Sequence, residues 1–537
     1  MTRRETSAGD DSEETPLLDA ASPAPSSQAA RTKAASLIIP VAILCRLAIL
    51  IPSTTTYHVI HQFVCRLWYL ANDPDGIPTD GRLPTAMCGL PAVERNYSSA
   101  ITAMGVVDGL GSMAAYASLS FFASRFGRKP AILAVLAAGL VADFAMILSN
   151  SLHPRLQLPF LVLWLISEAV SQPPIVVFVT NMYLVDLVSA ETRTAALSVL
   201  WGWASLGSAL SFTLGGTITT RADNVQPVYF VAAAIWSSVL IYSWAFLPES
   251  FPKARREELR REREDQARTA VLAHPEDAKP WAVQHKLAVF FEPLQQLKPR
   301  HDPVTGRSNW RLVYCAVHIF FAEIGGAYAV SALVIHLTSH YDYTPQDTGY
   351  ALTTLNLSNV FVLTVVIPLL VRFLTPLYKR RQPEPQHEPT HNAQVVTGAT
   401  DHLDAHLVIV SWIIEAAAYI LVAYMTTQAT QLTAIMLVGC SAGRAPVFRS
   451  LVVASVHPLK QGQTLAAIEM VGSVGMFLSP LVMGSILIAS ISTLPQLVFF
   501  VQAVIVISAS FVLFLVRDVD RYQAEPEAEC EPDLNPQ

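Results

Sequence analysis

The chain has 537 residues, of which 52% are hydrophobic and only 15% are charged, and its mean hydropathy is +0.39. Soluble globular domains carry about 25% charged residues. Here the apolar residues form runs of about 20 or more, the length that crosses a bilayer as a helix. The composition excludes a soluble protein and predicts an all-α membrane protein, whereas the net charge of −6 indicates no partner by itself.

Both ends of the chain are polar. Residues 1–35 are rich in Ser, Ala, Pro and acidic residues, which predicts a disordered cytosolic tail without a secretory signal peptide. Within this tail Glu13, Leu17 and Leu18 form an acidic dileucine pattern, typical of sorting to an endosomal or vacuolar membrane, although a chance leucine pair is the alternative. Residues 517–537 are acidic and predict a second cytosolic tail.

Six apolar segments occupy the N-terminal half, residues 36–250. We predict spans 1 to 6 at about 37–64, 98–120, 130–150, 158–183, 194–216 and 226–247. A Pro173-Pro174 pair predicts a break in span 4. The first long loop holds Cys65 and Cys88, for which a disulfide is one outcome in an oxidising compartment, and a glycosylation sequon at Asn96.

A hydrophilic linker, residues 251–309, precedes the second half, residues 310–516. Its mixed-charge run from Arg255 to Arg268 predicts a solvated helix rather than a nucleic-acid site, because acids interleave with the bases. Spans 7 to 12 are predicted at about 312–338, 347–373, 405–425, 430–455, 463–490 and 495–516. The loop 382–404 is His-containing, but a solvated loop is favoured over a metal site.

A basic stretch from Ser120 to Ile132 lies between spans 2 and 3. Arg125, Arg128 and Lys129 in this stretch mark the cytoplasmic side, because positive charge accumulates there. A second basic stretch, Arg372 to Arg381, follows span 8 at the corresponding place in the second half. The pattern predicts twelve transmembrane helices in two six-helix halves with both termini cytosolic, and internal repetition of this kind is typical of transporters.

The motifs resemble those of the major facilitator superfamily over nearly the whole chain outside the tails. The family's loop after span 2 reads Gly-x-Leu-Ala-Asp-Arg-x-Gly-Arg-Lys. Four residues match it in this chain: Arg125, Gly127, Arg128 and Lys129. Ser124 replaces the Asp that, in the family, belongs to a charge network closing the cytoplasmic side, so the usual latch is altered here. Ser120 replaces the first Gly.

The resemblance extends to other loops and to span 5. Asp186 and Arg193 match the loop after span 4, which implies a gating role for both, and Pro248-Glu249-Ser250 resembles the family motif that ends the first half. Gln461-Gly462-Gln463 with the later Ser479-Pro480 is similar to the tetracycline-exporter and proton-coupled folate transporter branches. The antiporter motif of span 5 is partial. Gly207, Gly215 and Gly216 fit it, whereas Ser211 and Phe212 replace its Gly-Pro.

Charged residues inside the predicted spans are the candidate substrate and proton sites, because a charge in hydrocarbon needs a partner or a wet cavity. They are Arg46, Asp108, Glu168, Glu323, Arg444, Arg449 and Glu469. The resemblance places spans 1, 4, 7 and 10 around a central cavity. Our hypothesis is that Glu168 or Glu323 carries a coupling proton, while Arg46 or Arg444 binds an anionic substrate group or releases the proton.

Fixed structural ion pairs between helices are the alternative interpretation of these charges. That alternative is favoured for Asp143 and Glu415, which fall on spans predicted to be outer helices. Arg449, near one end of span 10, is a candidate gate residue. His58, His61 and His318 titrate near neutral pH in principle, but hydrogen-bonded histidines are commoner in such positions.

No phosphate-cradling Gly-Lys-Ser/Thr loop and no nucleophile–base constellation occurs in the sequence. We therefore expect no enzyme and no cofactor, but a secondary active, proton-coupled transporter of a small organic solute, with a lean to export because the tails and linker resemble fungal exporters. A symporter importing a nutrient, vitamin or organic anion is the alternative, and a non-transporting receptor is the alternative of another class. We expect a monomer in the plasma membrane or a vacuolar or endosomal membrane, without a nucleic-acid partner.

Overall fold

The computed structural model describes residues 25–74, 85–88, 90–151, 154–190, 192–221, 225–261, 293–301, 308–341, 343, 345–380, 399–490 and 493–516. This part of the chain is almost wholly helical. Its one small sheet pairs Arg300 with Asn309 and His301 with Ser308. Twelve segments are long and apolar enough to cross a membrane, so the predicted all-α architecture with twelve spans is confirmed.

Spans 1 to 6 form the N-terminal half. Their helices are Pro25–Leu50 (span 1), Pro91–Phe126 (span 2), Arg128–Ser151 (span 3), Pro154–Ser171 with Pro173–Val185 (span 4), Arg193–Arg221 (span 5) and Gln226–Phe246 (span 6). Two further helices, Ser53–Asn72 and Thr85–Cys88, connect spans 1 and 2. A short linker helix at 253–261 follows span 6.

Spans 7 to 12 form the C-terminal half. Their helices are Arg311–Gly326 with Ala329–Tyr341 (span 7), Pro345–Phe361, the π-helix Val362–Val366 and Ile367–Arg380 (span 8), Ala399–Tyr424 (span 9), Gln428–Gly439 with Arg444–Val453 (span 10), Gln461–Ser490 (span 11) and Leu497–Phe511 with the 3-10 turn Val512–Leu515 (span 12). The interruptions in spans 4, 7 and 10 free backbone groups near the middle of the bundle, where irregular backbone is tolerated in protein-lined surroundings.

Three boundaries differ from the sequence expectations. The first helix begins at Pro25, inside the segment whose composition predicts disorder. Span 1 ends at Leu50 rather than running on, and a separate helix starts at Ser53, because Pro52 has no N–H to continue the hydrogen-bond ladder. The basic stretch after span 2 is not an open turn, since helices run up to Phe126 and start again at Arg128.

A disulfide between Cys65 and Cys88 joins two of the connecting helices, with their Cα atoms 5.4 Å apart. Tyr69, one turn after Cys65, donates a hydrogen bond from its hydroxyl to the carbonyl oxygen of Met87 at 3.1 Å. A small buried cluster forms there together with Val93. We call this end of the bundle the disulfide face and the opposite end, where residues 253–261 lie, the linker face.

Small residues on span 5 allow close packing against span 1. A Cβ on Gly207 would run into the carbonyl oxygen of Ile43, and one on Gly215 would lie 2.7 Å from that of Ile51. Gly202, further along span 5, packs against Thr364 of span 8 in the other half. The glycine-rich sequence of span 5 therefore serves close helix packing.

Candidate functional site

Arg449 of span 10 and Glu469 of span 11 form a bidentate ion pair in the interior. Arg449 Nε donates to Glu469 Oε1 at 2.6 Å, and Nη2 donates to Oε2 at 2.9 Å. The guanidinium carbon lies 4.7 Å from the ring centre of Trp201, on span 5 of the other half. The pair therefore belongs to the contact between the two halves, and Trp201 provides a cation–π partner across it.

A second interior pair joins span 10 to span 9. Arg444 Nη1 lies 2.7 Å from Glu415 Oε2, and its guanidinium carbon lies 4.8 Å from the ring centre of Trp412. The hydroxyl of Ser441 accepts from Arg444 Nη1 at 3.1 Å and donates to Glu415 at 3.0 Å. Glu415 is 1% exposed, whereas the Arg444 side chain is 31% exposed. Only the arginine side of this pair is partly exposed.

Glu323 on span 7 lies near both of these pairs. It is close enough to Arg444, Arg449, Glu415 and Glu469 for all four to act on its charge. Its carboxylate makes no hydrogen bond or ion pair with the described residues, although the side chain is half-buried deep in the bundle. Each arginine already has a carboxylate of its own, so Glu323 is the carboxylate left available for a proton or a ligand.

Glu323 also lies against span 11. A Cβ on Gly475 would lie 3.0 Å from the Cβ of Glu323, and one on Gly472 would lie 3.8 Å from its Cγ. Larger residues at these two positions would fill the space beside the carboxylate. The two glycines therefore keep span 11 close to span 7 and leave room for the Glu323 side chain.

Three acids of the N-terminal half form a second cluster: Asp108 on span 2, Asp143 on span 3 and Glu168 on span 4. Glu168 is close enough to each of the other two for their negative charges to repel. Asp143 is 6% exposed, and its Oδ2 is buried without a hydrogen-bond partner among the described residues. The structure describes no cation paired with these acids. Their ionised forms are costly there, so the cluster is suited to hold protons.

Gln172, at the break in span 4, lies next to this acidic cluster. Its side chain interacts with Asp108, and its Oε1 accepts a hydrogen bond from Ser112 at 3.0 Å. The break at Gln172 comes where Pro173 starts the second part of the helix, as the proline pair predicts. The break places the polar side chain of Gln172 against span 2.

Arg46 on span 1 lines a narrow interior cavity with Thr180, Asn181 and Trp201. Its Nε is buried and has no hydrogen-bond partner in the part of the chain that the structure describes. Trp201 Nε1 donates to Asn181 Oδ1 at 3.3 Å, so the same tryptophan connects the Arg46 cavity to Arg449. Sequence reasoning missed Trp201 and Asn181. The one signal for them in the sequence is a polar residue in span 4 and an aromatic residue in span 5.

On the linker face, Arg128 forms a buried ion pair within the N-terminal half. Its Nε lies 2.9 Å from Asp186 Oδ2, and both side chains are 3% exposed. Burial raises the pKa of Asp186, and the positive charge of Arg128 opposes that rise. The guanidinium carbon of Arg128 also lies 4.5 Å from the ring centre of Phe251, where the linker begins.

Glu249 caps the turn between spans 2 and 3. Its carboxylate accepts from the backbone N–H groups of Arg128 at 2.7 Å, Lys129 at 3.2 Å and Phe251 at 3.0 Å. Gly127 has φ +113°, a conformation that favours glycine, and a Cβ there would run into the Glu249 carboxylate. The Pro-Glu-Ser motif thus supplies the acid that holds this turn, although Ser124 replaces the family's Asp.

Two contacts join the halves on the linker face. Arg128 lies against Gly462 at the start of span 11, where an added Cβ would lie 2.8 Å from its Nη2. Thr194 at the start of span 5 donates to the Asp404 carboxylate of span 9 at 2.8 Å. It accepts from the hydroxyl of Ser450 on span 10 at 2.7 Å. Under the two-fold repeat span 3 corresponds to span 9, and span 5 corresponds to span 11. The contact between spans 3 and 11 is therefore equivalent to the contact between spans 9 and 5.

Sequence reasoning missed Asp404. The sequence signal for it is an acidic residue in the first turns of span 9. Span 3, the equivalent helix of the first half, carries Arg128 in its first turn. The basic stretch after span 8 drew attention instead. Of that stretch the structure describes Arg372 as an exposed residue on the helix of span 8, and Arg381 lies outside the described residues.

The other predicted gate residues lie on the linker face as well. Arg125 is exposed beside the ring of Phe126, and Lys129 donates from Nζ to the carbonyl oxygen of Trp244 at 2.8 Å. Arg193 is 7% exposed at the start of span 5. The structure therefore brings all six residues predicted for the gating loops to one end of the bundle, whereas Arg449, the other candidate gate residue, lies in the interior.

The remaining candidates are separate from both clusters. Asn96 is exposed on the helix that continues into span 2. His318 is buried, and its Nδ1 lies 2.9 Å from the carbonyl oxygen of Ala509, which fits a structural role. His61 contacts the ring of Tyr97 at 4.7 Å. The following lie outside the described residues or side chains: Glu13, Leu17, Leu18, His58, His387 and His391. The described residues include no group of His, Cys, Asp or Glu able to hold a metal ion.

Comparisons with known proteins agree with this architecture. The family model described as Major Facilitator Superfamily matches residues 85–385. The protein described as major facilitator-type transporter psiT1 of Psilocybe cyanescens is 37% identical over 399 residues, covering 72% of this chain and 83% of that protein. The MFS-type transporter avaJ of Aspergillus versicolor is 21% identical over 431 residues, covering 80% of this chain and 78% of that protein.

Two solved structures share the fold. The human organic anion transporter MFSD10 (TETRAN) superimposes with a TM-score of 0.61 at 16% identity, covering 90% of this chain and 99% of that one. A double tryptophan mutant of XylE gives a TM-score of 0.58 at 12% identity, covering 93% and 97%. At such low identity the likeness shows the arrangement of the twelve helices and nothing about substrate.

Proposed function

Because the chain belongs to the Major Facilitator Superfamily and is a transporter of that family, we propose that it couples movement of a small organic solute to protons, with Glu323 as the proton carrier. The observation that carries this proposal is the carboxylate of Glu323, which lies near two closed ion pairs and against span 11 and is itself unpaired among the described residues. Protonation and deprotonation there change the charge balance of the Arg444 and Arg449 pairs directly. Such a change shifts the equilibrium between two conformations only if the free energy of protonation differs between them.

The cross-half contacts of Arg449 support a mechanism of this kind. Its guanidinium touches Trp201 of the N-terminal half while it holds Glu469 within its own half. A proton arriving on Glu323 removes one of the negative charges around Arg449 and strengthens the remaining bond to Glu469. Movement of span 5 relative to span 10 would change the tryptophan contact, which links protonation to rocking of the halves.

The arginines differ in their fitness to bind an anionic substrate group. Glu415 and Glu469 already occupy Arg444 and Arg449, so an anion would have to displace a carboxylate there. Arg46 has a buried Nε without a described partner and borders a cavity of ≈ 10 Å³, which has to widen in another conformation before it admits an anionic group. We assign any anionic contact to Arg46 and keep the Asp108–Asp143–Glu168 cluster as the second candidate for the proton.

The linker face is assigned to the cytosol. The basic residues Arg125, Arg128 and Lys129 lie there, in accord with the positive-inside rule. The Cys65–Cys88 disulfide lies at the other end, which suits an oxidising exterior or lumen. This orientation makes both termini cytosolic, exposes Asn96 to glycosylation and leaves the dileucine signal readable for delivery to an endosomal or vacuolar membrane. The plasma membrane is the other destination.

Export of a metabolite or toxic compound is the direction we favour, since the tails and linker resemble those of fungal exporters. Proton symport that imports a nutrient, vitamin or organic anion is the second candidate, and span 5 is the observation in its favour. Ser211 stands where antiporters have the Gly of their Gly-Pro, and its hydroxyl donates to the carbonyl oxygen of Ser208 at 2.7 Å within an uninterrupted helix.

The test begins with a substrate found without prior assumption, by comparative metabolomics of a deletion strain. Purified full-length protein in proteoliposomes then receives that compound under an imposed proton gradient. Accumulation that follows the gradient supports coupling, and its direction separates symport from antiport. Flux that ignores the gradient would contradict proton coupling, and absence of any flux would favour a non-transporting receptor.

A further inference from the structure

A cleft of ≈ 580 Å³ opens on the linker face between the end of span 2 and the linker helix at 253–261. Among the described residues, four cationic side chains line it, Arg125 from span 2 and Lys253, Arg256 and Arg260 from the linker helix, together with one acid, Glu257. The excess of positive charge fits an anionic ligand. None of the interior transport residues lines this cleft, so it is separate from the proposed proton site.

Arg256 is held in place at the wall of the cleft. Its Nη1 donates to the carbonyl oxygen of Phe126 at 2.7 Å, and its Nε is buried without an acceptor among the described residues. A guanidinium has several N–H donors, so one that is fixed by a single described hydrogen bond is suited to a phosphate, which accepts several charge-assisted hydrogen bonds at once. Arg125 and Lys253 are exposed beside it.

The surroundings of the cleft favour a lipid over a soluble ligand. Phe121 and Phe126 form its apolar wall, and Phe126 is 49% exposed at the end of span 2. Trp244 and Phe246, at the end of span 6, are 70% and 64% exposed. Exposed aromatic side chains at helix ends mark the membrane interface, so the cleft opens at the level of lipid headgroups.

We propose that this cleft binds the phosphorylated headgroup of an anionic lipid. Its volume suits a headgroup of the size of a phosphorylated inositol. Leu259, on the same linker helix, is buried with Phe251 and with Leu459 at the start of span 11. The linker helix therefore contacts both halves. A headgroup bound between this helix and span 2 stabilises these contacts and favours the conformation in which the linker face is closed.

The test uses the detergent-purified full chain and three probes: dioctanoyl phosphatidylinositol 4-phosphate, dioctanoyl phosphatidylcholine and inorganic phosphate. Binding is followed by native mass spectrometry and by the thermal shift. We expect saturable binding of the phosphoinositide only, and loss of affinity by about tenfold or more in the Arg125→Gln/Lys253→Gln variant, from two weakened charge-assisted contacts. Arg372→Gln, an exposed arginine on span 8, is the matched control and keeps wild-type affinity.

Four outcomes would overturn the proposal. Equal binding of phosphatidylcholine would show that charge is not recognised. Equal binding of inorganic phosphate would assign the cleft to a soluble anion. Full affinity of the double variant, or absence of saturable binding in the wild type, would leave the cationic cleft without a lipid role and would fit occupation by an acidic segment of the chain itself.

Discussion

Removing one partner of the Arg449–Glu469 pair is the sharpest perturbation that the structure offers. Glu469→Gln leaves the guanidinium of Arg449 in an interior site where each side chain of the pair is 10% exposed. Breaking a buried ion pair in this way costs about 3–5 kcal/mol, because the remaining charge is neither paired nor hydrated. The contact with Trp201 offsets part of that cost, on the order of 1 kcal/mol.

The assay is a double-mutant cycle measured by the free energy of unfolding in detergent micelles. Glu469→Gln and Arg449→Met are each made alone and then together. Because the double variant contains no buried charge at this place, we expect it to be more stable than either single variant, with a coupling energy of about 2 kcal/mol or more.

The Arg444–Glu415 pair provides the matched comparison. Arg444 is 31% exposed, so after Glu415→Gln its guanidinium can be hydrated, and the loss of stability should be smaller than for Glu469→Gln. Additive single effects at Arg449 and Glu469, or a larger loss at Glu415, would refute the view that the deeper pair is the one sealed from water.

Three further predictions concern the two faces. Gly127→Ala should lower stability by about 1–2 kcal/mol, since a Cβ at φ +113° collides with Glu249; the same change at Gly105, where an added Cβ meets no neighbouring side chain or helix within 4 Å, is the control for a thermal-unfolding comparison. Asp404→Asn weakens the hydrogen bond from Thr194 and should make the linker face more reactive to a membrane-impermeant thiol probe at an introduced cysteine; unchanged labelling would contradict a closing role. Reduction of the disulfide, whose cysteines are 23 residues apart, should cost about 3 kcal/mol, measured as a lower unfolding temperature in reductant, and an unchanged temperature would show that the loop is held otherwise.

The sequence predicts the twelve spans well because hydrocarbon imposes a single requirement on length and apolarity. The break at Pro173 follows from the missing N–H of proline and was predicted. The same argument applies at Pro52 and ends span 1 at Leu50, whereas the apolar residues between Val59 and Val64 lengthen the predicted span. Boundaries are thus predictable where one physical effect dominates and less so where two compete.

The pairing of the interior charges could not be predicted in the same way. The sequence favours a structural ion pair for Glu415 but does not say with which arginine; the structure pairs it with Arg444, beside Ser441 at the break in span 10. Which carboxylate pairs with which arginine depends on helix rotation and on breaks in the helices, and one sequence does not specify either. Asp404 was missed because its partner, Thr194, is uncharged and lies in the other half.

The central claim is that Glu323 carries the coupling proton, and Glu323→Gln in proteoliposomes tests it most directly. The variant is compared with Glu168→Gln and with wild type, using the substrate identified by metabolomics. We predict that Glu323→Gln loses accumulation driven by an imposed proton gradient but keeps exchange of labelled for unlabelled substrate, whereas Glu168→Gln retains both. Full gradient-driven accumulation with wild-type pH dependence in Glu323→Gln would contradict the claim, and its loss in Glu168→Gln alone would move the proton site to the acidic cluster of the N-terminal half.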